Sequence, residues 1–340
     1  MRKPSKSPQF YKDYTVGIDL GGTKVAAALV DGQGRIVEEA RRDTVPPWMK
    51  SSDPRSLEKP SAKDVKRHVE YVVQAMAEAA MDCVSALPAK KKIAGVGLAS
   101  AGPMDLEKGI IIQPSNFAGW KTVPLVSLLT DELKSNGLKS KVHFQNDAIA
   151  AALGEGWTGV AKGCETYAVI TVGTGIGTGV IFNGRPAQSR GMGCEWGHMM
   201  TMSPGFLKDP MSFREREVEG IASGTGLAKR ARAMGLPFES AADLAKAATS
   251  GDARAKELFD GAAEALAGLF YSLSLGFNPE VFAISGGMLA IREHFLPTAI
   301  DLYRKAMKAN NPAFLTKITI AKLGTKAGVV GAARLPRLNQ

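Results

Sequence analysis

VGIDLGGTKVAAALVDGQG, residues 16–34, and AVITVGTGIGTGVIFNGRP, residues 168–186, share one layout. Each runs strand, glycine turn, strand, and then a second tight turn at Asp31-Gly32 or Asn183-Gly184. A hairpin of this kind met twice in one chain implies two related lobes. Each glycine turn offers bare backbone N–H groups on which an anion such as phosphate can sit. The doubled hairpin therefore points to an enzyme that handles nucleotides.

Two phosphate motifs can be tested by spacing, because each needs a helix to begin where its glycines end. A Walker loop requires GxxxxGK followed by Ser or Thr, and no segment supplies it. In VGTGIGTGV the glycines stand at 173, 175, 177 and 179, so Thr178 or Val180 occupies the third glycine position of GxGxxG. Val180, Ile181 and Phe182 follow, and the chain leaves the glycines as a strand. This disfavours a Rossmann site and favours phosphate held between hairpin turns.

At 340 residues the chain is long enough for one or two domains of the usual ~100–200 residues. Its 45% hydrophobic and 22% charged content is that of an ordinary soluble globular protein. No apolar run is long enough to span a bilayer, so no membrane partner is expected. The N-terminal MRKPSKSPQFYKDY is basic and lacks an apolar h-region, which reads as a short disordered tail and a cytoplasmic protein. Cys83, Cys164 and Cys194 are few, odd in number and far apart, which argues against a disulfide framework and a thiolate zinc site. The net charge of +10 is dispersed, with AKKK at 89–92 the only compact run, so a solvated surface is expected and no nucleic-acid partner. Attraction of anionic substrates such as ATP or polyphosphate is the weaker alternative.

Between the hairpins lies a Pro-, Ser- and charge-rich loop, residues 44–62, and then a helix from Lys63 to about Leu87 with apolar residues at Val65, Val69, Val72, Val73, Met76 and Ala80. Ile93–Ser100 reads as a buried central strand. Val142-His143-Phe144 is a strand that runs into Gln145-Asn146-Asp147 and the helical AIAAALGEG, which puts Asp147 at a strand-to-helix junction. In the second half, residues 200–217 form an irregular polar connection. SGTGLAKRARAM, SAADLAKAATS and ARAKELFDGAAEALAGLFYSLSLGF then read as helices. A late strand, Val281–Ser285, ends in Gly286-Gly287 and adds a third glycine turn. The alternation of strands and helices in both halves indicates an α/β architecture with two sheets.

Phosphoryl transfer needs a phosphate cradle, a metal ion to neutralise charge and a base for the acceptor hydroxyl. Asp19 stands just before Gly21-Gly22-Thr23, where a carboxylate can hold Mg²⁺, directly or through water, against the phosphates. Lys24 is a candidate phosphate contact or simply a solvated lysine, and Thr23 and Thr174 can donate hydroxyl hydrogen bonds. Asp147 is the candidate base, with Asn146 fixing a neighbouring sugar hydroxyl; the competing role for such a residue is a helix N-cap. Glu195-Trp196-Gly197-His198 brings a carboxylate and an imidazole three residues apart, and Glu219 follows. Such groups grip vicinal sugar hydroxyls.

Taken in order, the motifs resemble the ROK family of bacterial-type sugar kinases over nearly the whole chain. They are DLGGTK from Asp19, GLASAGPMD ending at Asp105, SNFAGW ending at Trp120, the NDA of Asn146 to Ala148, TVGTGIGTG from Thr171, EWGH from Glu195, EGIASGTGL from Glu219, SGGM from Ser285 and AGVVGAARL near the C-terminus. The resemblance implies an α/β, two-lobed actin-like/hexokinase-like (ribonuclease H-like) ATPase fold with the active site in the interlobe cleft. The N-terminal lobe is expected over 1–147 plus 325–340, with the C-terminal helix returning to it, and the C-terminal lobe over 148–324. Carried onto matching positions, Asp147 is similar to the family's catalytic base. Gly102, Asn116, Asn146, Glu195, His198 and Glu219 resemble its hexose contacts. Gly21, Gly22, Thr23 and Lys24, the turn with Gly173, Thr174, Gly175 and Gly177, and Gly286-Gly287 resemble its nucleotide contacts.

The resemblance implies an ATP- and Mg²⁺-dependent hexokinase, foremost a glucokinase acting on the 6-hydroxyl, and a homodimer. The alternatives are another hexose or N-acetylhexosamine as acceptor, or polyphosphate as donor. A sugar-responsive transcriptional repressor of the same family is disfavoured, because the first strand starts near Tyr14 and leaves no room for a helix-turn-helix domain. One departure is plain: many members carry CxCGxxGCxE between the histidine and the later glutamate, whereas residues 199–218 here contain no cysteine. No structural zinc is therefore expected. Metal analysis of protein purified without added metal should find no stoichiometric zinc.

Overall fold

A computed structural model describes residues 13–49, 60–189, 192–201 and 213–338. Nearly all of the basic N-terminal tail, the middle of the Pro- and Ser-rich loop and most of the polar connection after His198 lie outside the described residues. The chain divides into two compact units, Met1–Lys162 with Gln188–Gly193 and Thr325–Gln340, and Gly163–Ala187 with Cys194–Gly324.

The first unit contains β1 (Tyr14–Leu20), β2 (Lys24–Val30), β3 (Ile36–Asp43), α1 (Ala62–Ser85), β4 (Ile93–Ser100), the short strands β5 (Met104–Asp105), β6 (Ile110–Ile112) and β7 (Thr122–Val123), α2 (Leu125–Ser135), β8 (Val142–Asn146) and α3 (Asp147–Thr158). Its main sheet has the order β3-β2-β1-β4-β8. The β1–β2 and β2–β3 pairs are antiparallel, while β1–β4 and β4–β8 are parallel. β1 is central and buried from Thr15 to Ile18, as its near-continuous apolar run requires. Ser61 caps α1 by accepting from the Asp64 N–H. The helix lays Val72, Met76, Ala80 and Cys83 against Val16, Ile18 and Leu98 of the sheet. Each fully buried Val or Met there contributes ~1.5–3 kcal/mol.

The second unit contains β9 (Tyr167–Val172), β10 (Ile176–Phe182), β11 (Arg185–Pro186), the helices α4 (Phe213–Arg216), α5 (Val218–Ala222), α6 (Gly224–Ala233), α7 (Ala241–Thr249) and α8 (Ala253–Phe277), then β12 (Val281–Ser285), α9 (Leu296–Asn310) and β13 (Lys317–Ile320). Its sheet order, β11-β10-β9-β12-β13, repeats the first position for position, including the sense of every pair. The two hairpins of the sequence are thus the same element in two copies of one sheet. Their second turns differ. Asn183 and Gly184 have φ of 51° and 74°, which is the two-residue hairpin turn that right-handed strand twist favours. The expected Asp31-Gly32 turn is instead a wider loop over residues 31–35, in which the Asp31 carboxylate accepts from the Gln33 and Arg35 N–H groups and Gly34 takes the left-handed position.

The first unit runs on to Lys162, past the expected break at 147, because α3 packs against the C-terminal helix, Ala327–Arg334. That helix lies backbone to backbone on its neighbours: a Cβ on Gly97 would overlap the Ala332 carbonyl oxygen, and one on Gly331 would overlap the Ala150 carbonyl oxygen. Gly97→Ala should therefore lower stability by about 3 kcal/mol, since both groups it drives apart are backbone. Gly268→Ala, exposed in α8 with nothing within 4 Å of the new methyl, should instead stabilise by up to ~1 kcal/mol. Thermal unfolding of the two variants beside the parent measures both effects.

Candidate active site

Parallel strands β1, β4 and β8 end in register, with Asp19 opposite Ala99 and Ser100 opposite Asn146. Their carboxyl ends form the edge of the sheet where open α/β folds place ligands. This edge gathers Asp19, Gly102, Asn146 and Asp147. Asn146 is the cap of α3: its Oδ1 accepts from the Ala148 and Ile149 N–H groups at 2.9 and 3.2 Å. Asp147 is therefore the first residue of the helix and not its cap. One of its oxygens accepts from the Ala148 N–H at 2.8 Å, which leaves Oδ2 outside the helix's own bonds. With Oδ1 turned to the helix, Asn146 presents Nδ2 toward Gly102, 3.8 Å from where a Cβ on that glycine would lie.

Asp19 and Asp147 are both half-buried. Burial, and then the charge of Asp147, pushes the Asp19 carboxyl up to about 7. Burial also raises Asp147, against the pull of the Ala148 N–H. The first turn of the C-terminal helix faces Asp19, for a Cβ on Gly328 would overlap its Oδ2. The positive end of a helix dipole thus lies beside an acid pair. In the adjoining turn the Gly21 N–H donates to the Lys24 carbonyl at 3.0 Å, so the amides of Gly22 and Thr23 are not used by the turn itself. Thr23 and Lys24 are exposed, and Gly22 lies against Asn116, whose buried Oδ1 has no hydrogen-bond partner among the described residues.

In the second unit the Gly173 N–H donates to the Gly175 carbonyl at 2.9 Å and closes the turn between β9 and β10. The turn comprises Gly173, Thr174 and Gly175. Gly177, expected in the same loop, lies inside β10 opposite Thr171, because pairing resumes at Ile176. The N-terminus of α6 joins the turn, with Gly224 N–H bonded to the Gly173 carbonyl at 2.8 Å. Gly286, at φ 102°, brings Gly287 beside Gly173; a side chain at Gly286 would strike the Val172 carbonyl.

Ile176 ties the remaining acids to this turn. Its N–H donates to Glu219 Oε2 at 2.7 Å, and its carbonyl lies where any side chain at Gly197 would go. The short 3₁₀ turn Trp196–His198 therefore sits on the start of β10, further held by the Trp196 N–H on Thr178 Oγ1 at 3.0 Å. Glu195 and His198 are exposed at its ends. His198 Nδ1 lies 2.7 Å from Glu217 Oε2, so its carboxylate partner is Glu217 and not Glu219. Glu217, Gly328 and the α6 N-terminus have no role in the sequence-based expectations. Only their places beside Glu219 and within EGIASGTGL and AGVVGAARL hinted at them.

The raised Asp19 fixes the sign of a pH effect. Between about pH 4 and pH 7 the folded chain holds a proton that the unfolded chain, with an ordinary carboxylate near ~3.9, has released. Stability contributed by this site therefore falls as pH rises through that window. Asp19→Asn should melt a few degrees above the parent at pH 8, with the gap closing by pH 4, as measured by thermal unfolding across pH.

Comparison with known proteins gives the family and the fold. A family model described as the ROK family matches residues 15–338. Glucokinase of Thermotoga maritima is 30% identical over 343 positions, covering 94% of this chain and 96% of its own length. The crystal structure of a ROK hexokinase from Thermus thermophilus matches with a TM-score of 0.77 at 30% identity, covering 96% of this chain and 98% of its own. A ROK family glucokinase from Streptomyces griseus, solved in complex with glucose and AMPPNP, matches with a TM-score of 0.67 at 28% identity, covering 96% and 99%. With the family model spanning almost every described residue and the actin-like/hexokinase-like fold shared with these structures, the chain belongs to the ROK family and is a sugar kinase.

Proposed function

We propose that the protein is an ATP-dependent hexokinase, acting foremost on glucose, and that Asp147 takes the proton of the 6-hydroxyl as the γ-phosphoryl group is transferred. The observation that carries this is the division of labour at the start of α3. Asn146 satisfies the helix amides and leaves a raised, half-buried carboxylate at Asp147 with one oxygen outside the helix's bonds. Raising the pKa makes the carboxylate a better proton acceptor than an ordinary aspartate. Asn146 Nδ2, turned away from the helix, donates to the adjacent hydroxyl. Gly102, Asn116, Glu195, His198 and Glu219 complete the hexose contacts, and the amides of the glycine turns at 21–24, 173–175 and 286–287 hold the phosphates.

The residues at the sheet edge fit Mg²⁺. Asp19 is a hard oxygen donor whose charge is costly as it stands, and Asp147 beside it adds to that cost. Among the described residues no group of three or more His, Cys, Asp or Glu forms a metal cage. Mg²⁺ binds through one or two carboxylates and completes its shell with phosphate and water. Bound at Asp19, Mg²⁺ would neutralise charge on the nucleotide phosphates. Asp19 would hold the ion there, and the first turn of the C-terminal helix lies against its Oδ2 at Gly328.

A donor-by-sugar matrix of initial rates tests the substrate assignment, with ATP and glucose expected to give the highest rate against polyphosphate, mannose, fructose and the N-acetylhexosamines. Asp147→Asn should lower kcat by about 10³-fold, within the range a general base supplies, and leave glucose affinity within about threefold of the parent. An unchanged rate in a coupled assay would remove Asp147 from the mechanism.

A further inference from the structure

We infer that Glu217 is a positioning residue for sugar recognition, holding the His198 ring so that Nε2 is the nitrogen offered to the substrate; this rests on the reading of His198 as a hexose contact. His198 Nδ1 and Glu217 Oε2 are 2.7 Å apart, and the Glu217 side chain is only 15% exposed while that of His198 is 44% exposed. The bond is thus sheltered at the carboxylate and open at the imidazole. A carboxylate can only accept, so Nδ1 carries the proton. In the neutral ring Nε2 is then an acceptor. An acceptor there suits a sugar hydroxyl, which has a proton to give.

The backbone explains why Glu217 is available for this. Residues 199–201 and 216–218 are zipped as a short antiparallel pair, with the Val218 N–H on the Met199 carbonyl at 3.0 Å and the Thr201 N–H on the Arg216 carbonyl at 2.9 Å. Met200 and Glu217 bridge at the centre, and the Thr201 hydroxyl adds a bond to the Arg216 carbonyl at 2.8 Å. These bonds close the base of the cysteine-free connection without using the Glu217 side chain. The carboxylate is therefore free to orient the histidine, and two residues on Glu219 holds the second glycine turn through Ile176. One short segment fixes both the sugar-gripping imidazole and the phosphate turn.

The test pairs kinetics with NMR of the imidazole nitrogens in ligand-free protein, using Mg·ATP and whichever of D-glucose, D-mannose and N-acetyl-D-mannosamine reacts fastest. Glu217→Ala should raise the sugar KM about 10-fold, the scale of one lost charge-assisted hydrogen bond, with the ATP KM within twofold and the melting temperature within a few degrees. Its His198 ring should lose the Nδ1–H preference expected of the parent. Glu217→Gln, which can still accept through Oε1, should stay within about threefold of the parent KM. A parent ring in the Nε2–H form, or a Glu217→Ala variant with unchanged sugar KM, overturns the positioning role. His198→Ala with an unchanged sugar KM overturns instead the hexose-contact reading beneath it, and the tautomer measurement, made without sugar, tells the two failures apart.

Discussion

The C-terminal helix lies against β1, β4 and α3 with glycines where the backbones meet, and the first unit is organised by that contact. Gly97 is placed against the Ala332 carbonyl and Gly331 against the Ala150 carbonyl, where a single methyl group would overlap main chain on the other side. Close packing at this density transmits position with little slack. The same approach brings the first turn of the helix to Asp19, so the last element of the chain helps to set the environment of a carboxylate in the first strand. Burial raises Asp19 to about 7, and the charge of Asp147 adds to the shift.

Duplication supplies the rest of the framework. Each sheet joins an antiparallel hairpin to two parallel strands in the same order, so each copy carries a glycine turn next to the carboxyl ends of parallel strands. The copies then diverge in what they put at that edge. In the first unit, β8 runs directly into α3 and delivers Asn146 and Asp147. In the second, α5 and α6 bring Glu219 and the Gly224 amide onto the turn, and the 3₁₀ turn at Trp196–His198 is seated on β10 by a glycine. One sheet plan thus carries an acid pair in one copy and, in the other, a glycine turn joined by the Gly224 amide and flanked by Glu219 on the Ile176 N–H.

Local patterns made much of this legible. The strands at 93–100 and 281–285, the helix along Val65 to Ala80 and the strand-to-helix junction at Asp147 follow from apolar spacing and from glycine turns that lead into β-branched residues. The order of motifs carried the family. The errors fell where a turn's geometry depends on its neighbours. The loop at Asp31 is wide because its carboxylate finds two amides and the Arg35 guanidinium, which no dipeptide pattern states. Gly177 reads as loop in a glycine-rich run but is strand because Thr171 pairs with it.

By itself the sequence determined the two hairpins, the α/β class and the placing of Asp19, Asn146 and Asp147 at the ends of strands, since these depend on side-chain periodicity and turn chemistry within a few residues. Only the tertiary structure decided that Glu219 accepts from Ile176, that His198 pairs with Glu217 and that the C-terminal helix reaches Asp19. The physical reason is range. A hydrogen bond between residues 43 apart, or a helix end beside a strand some three hundred residues earlier, is chosen by which surfaces pack, and packing is a property of the whole fold.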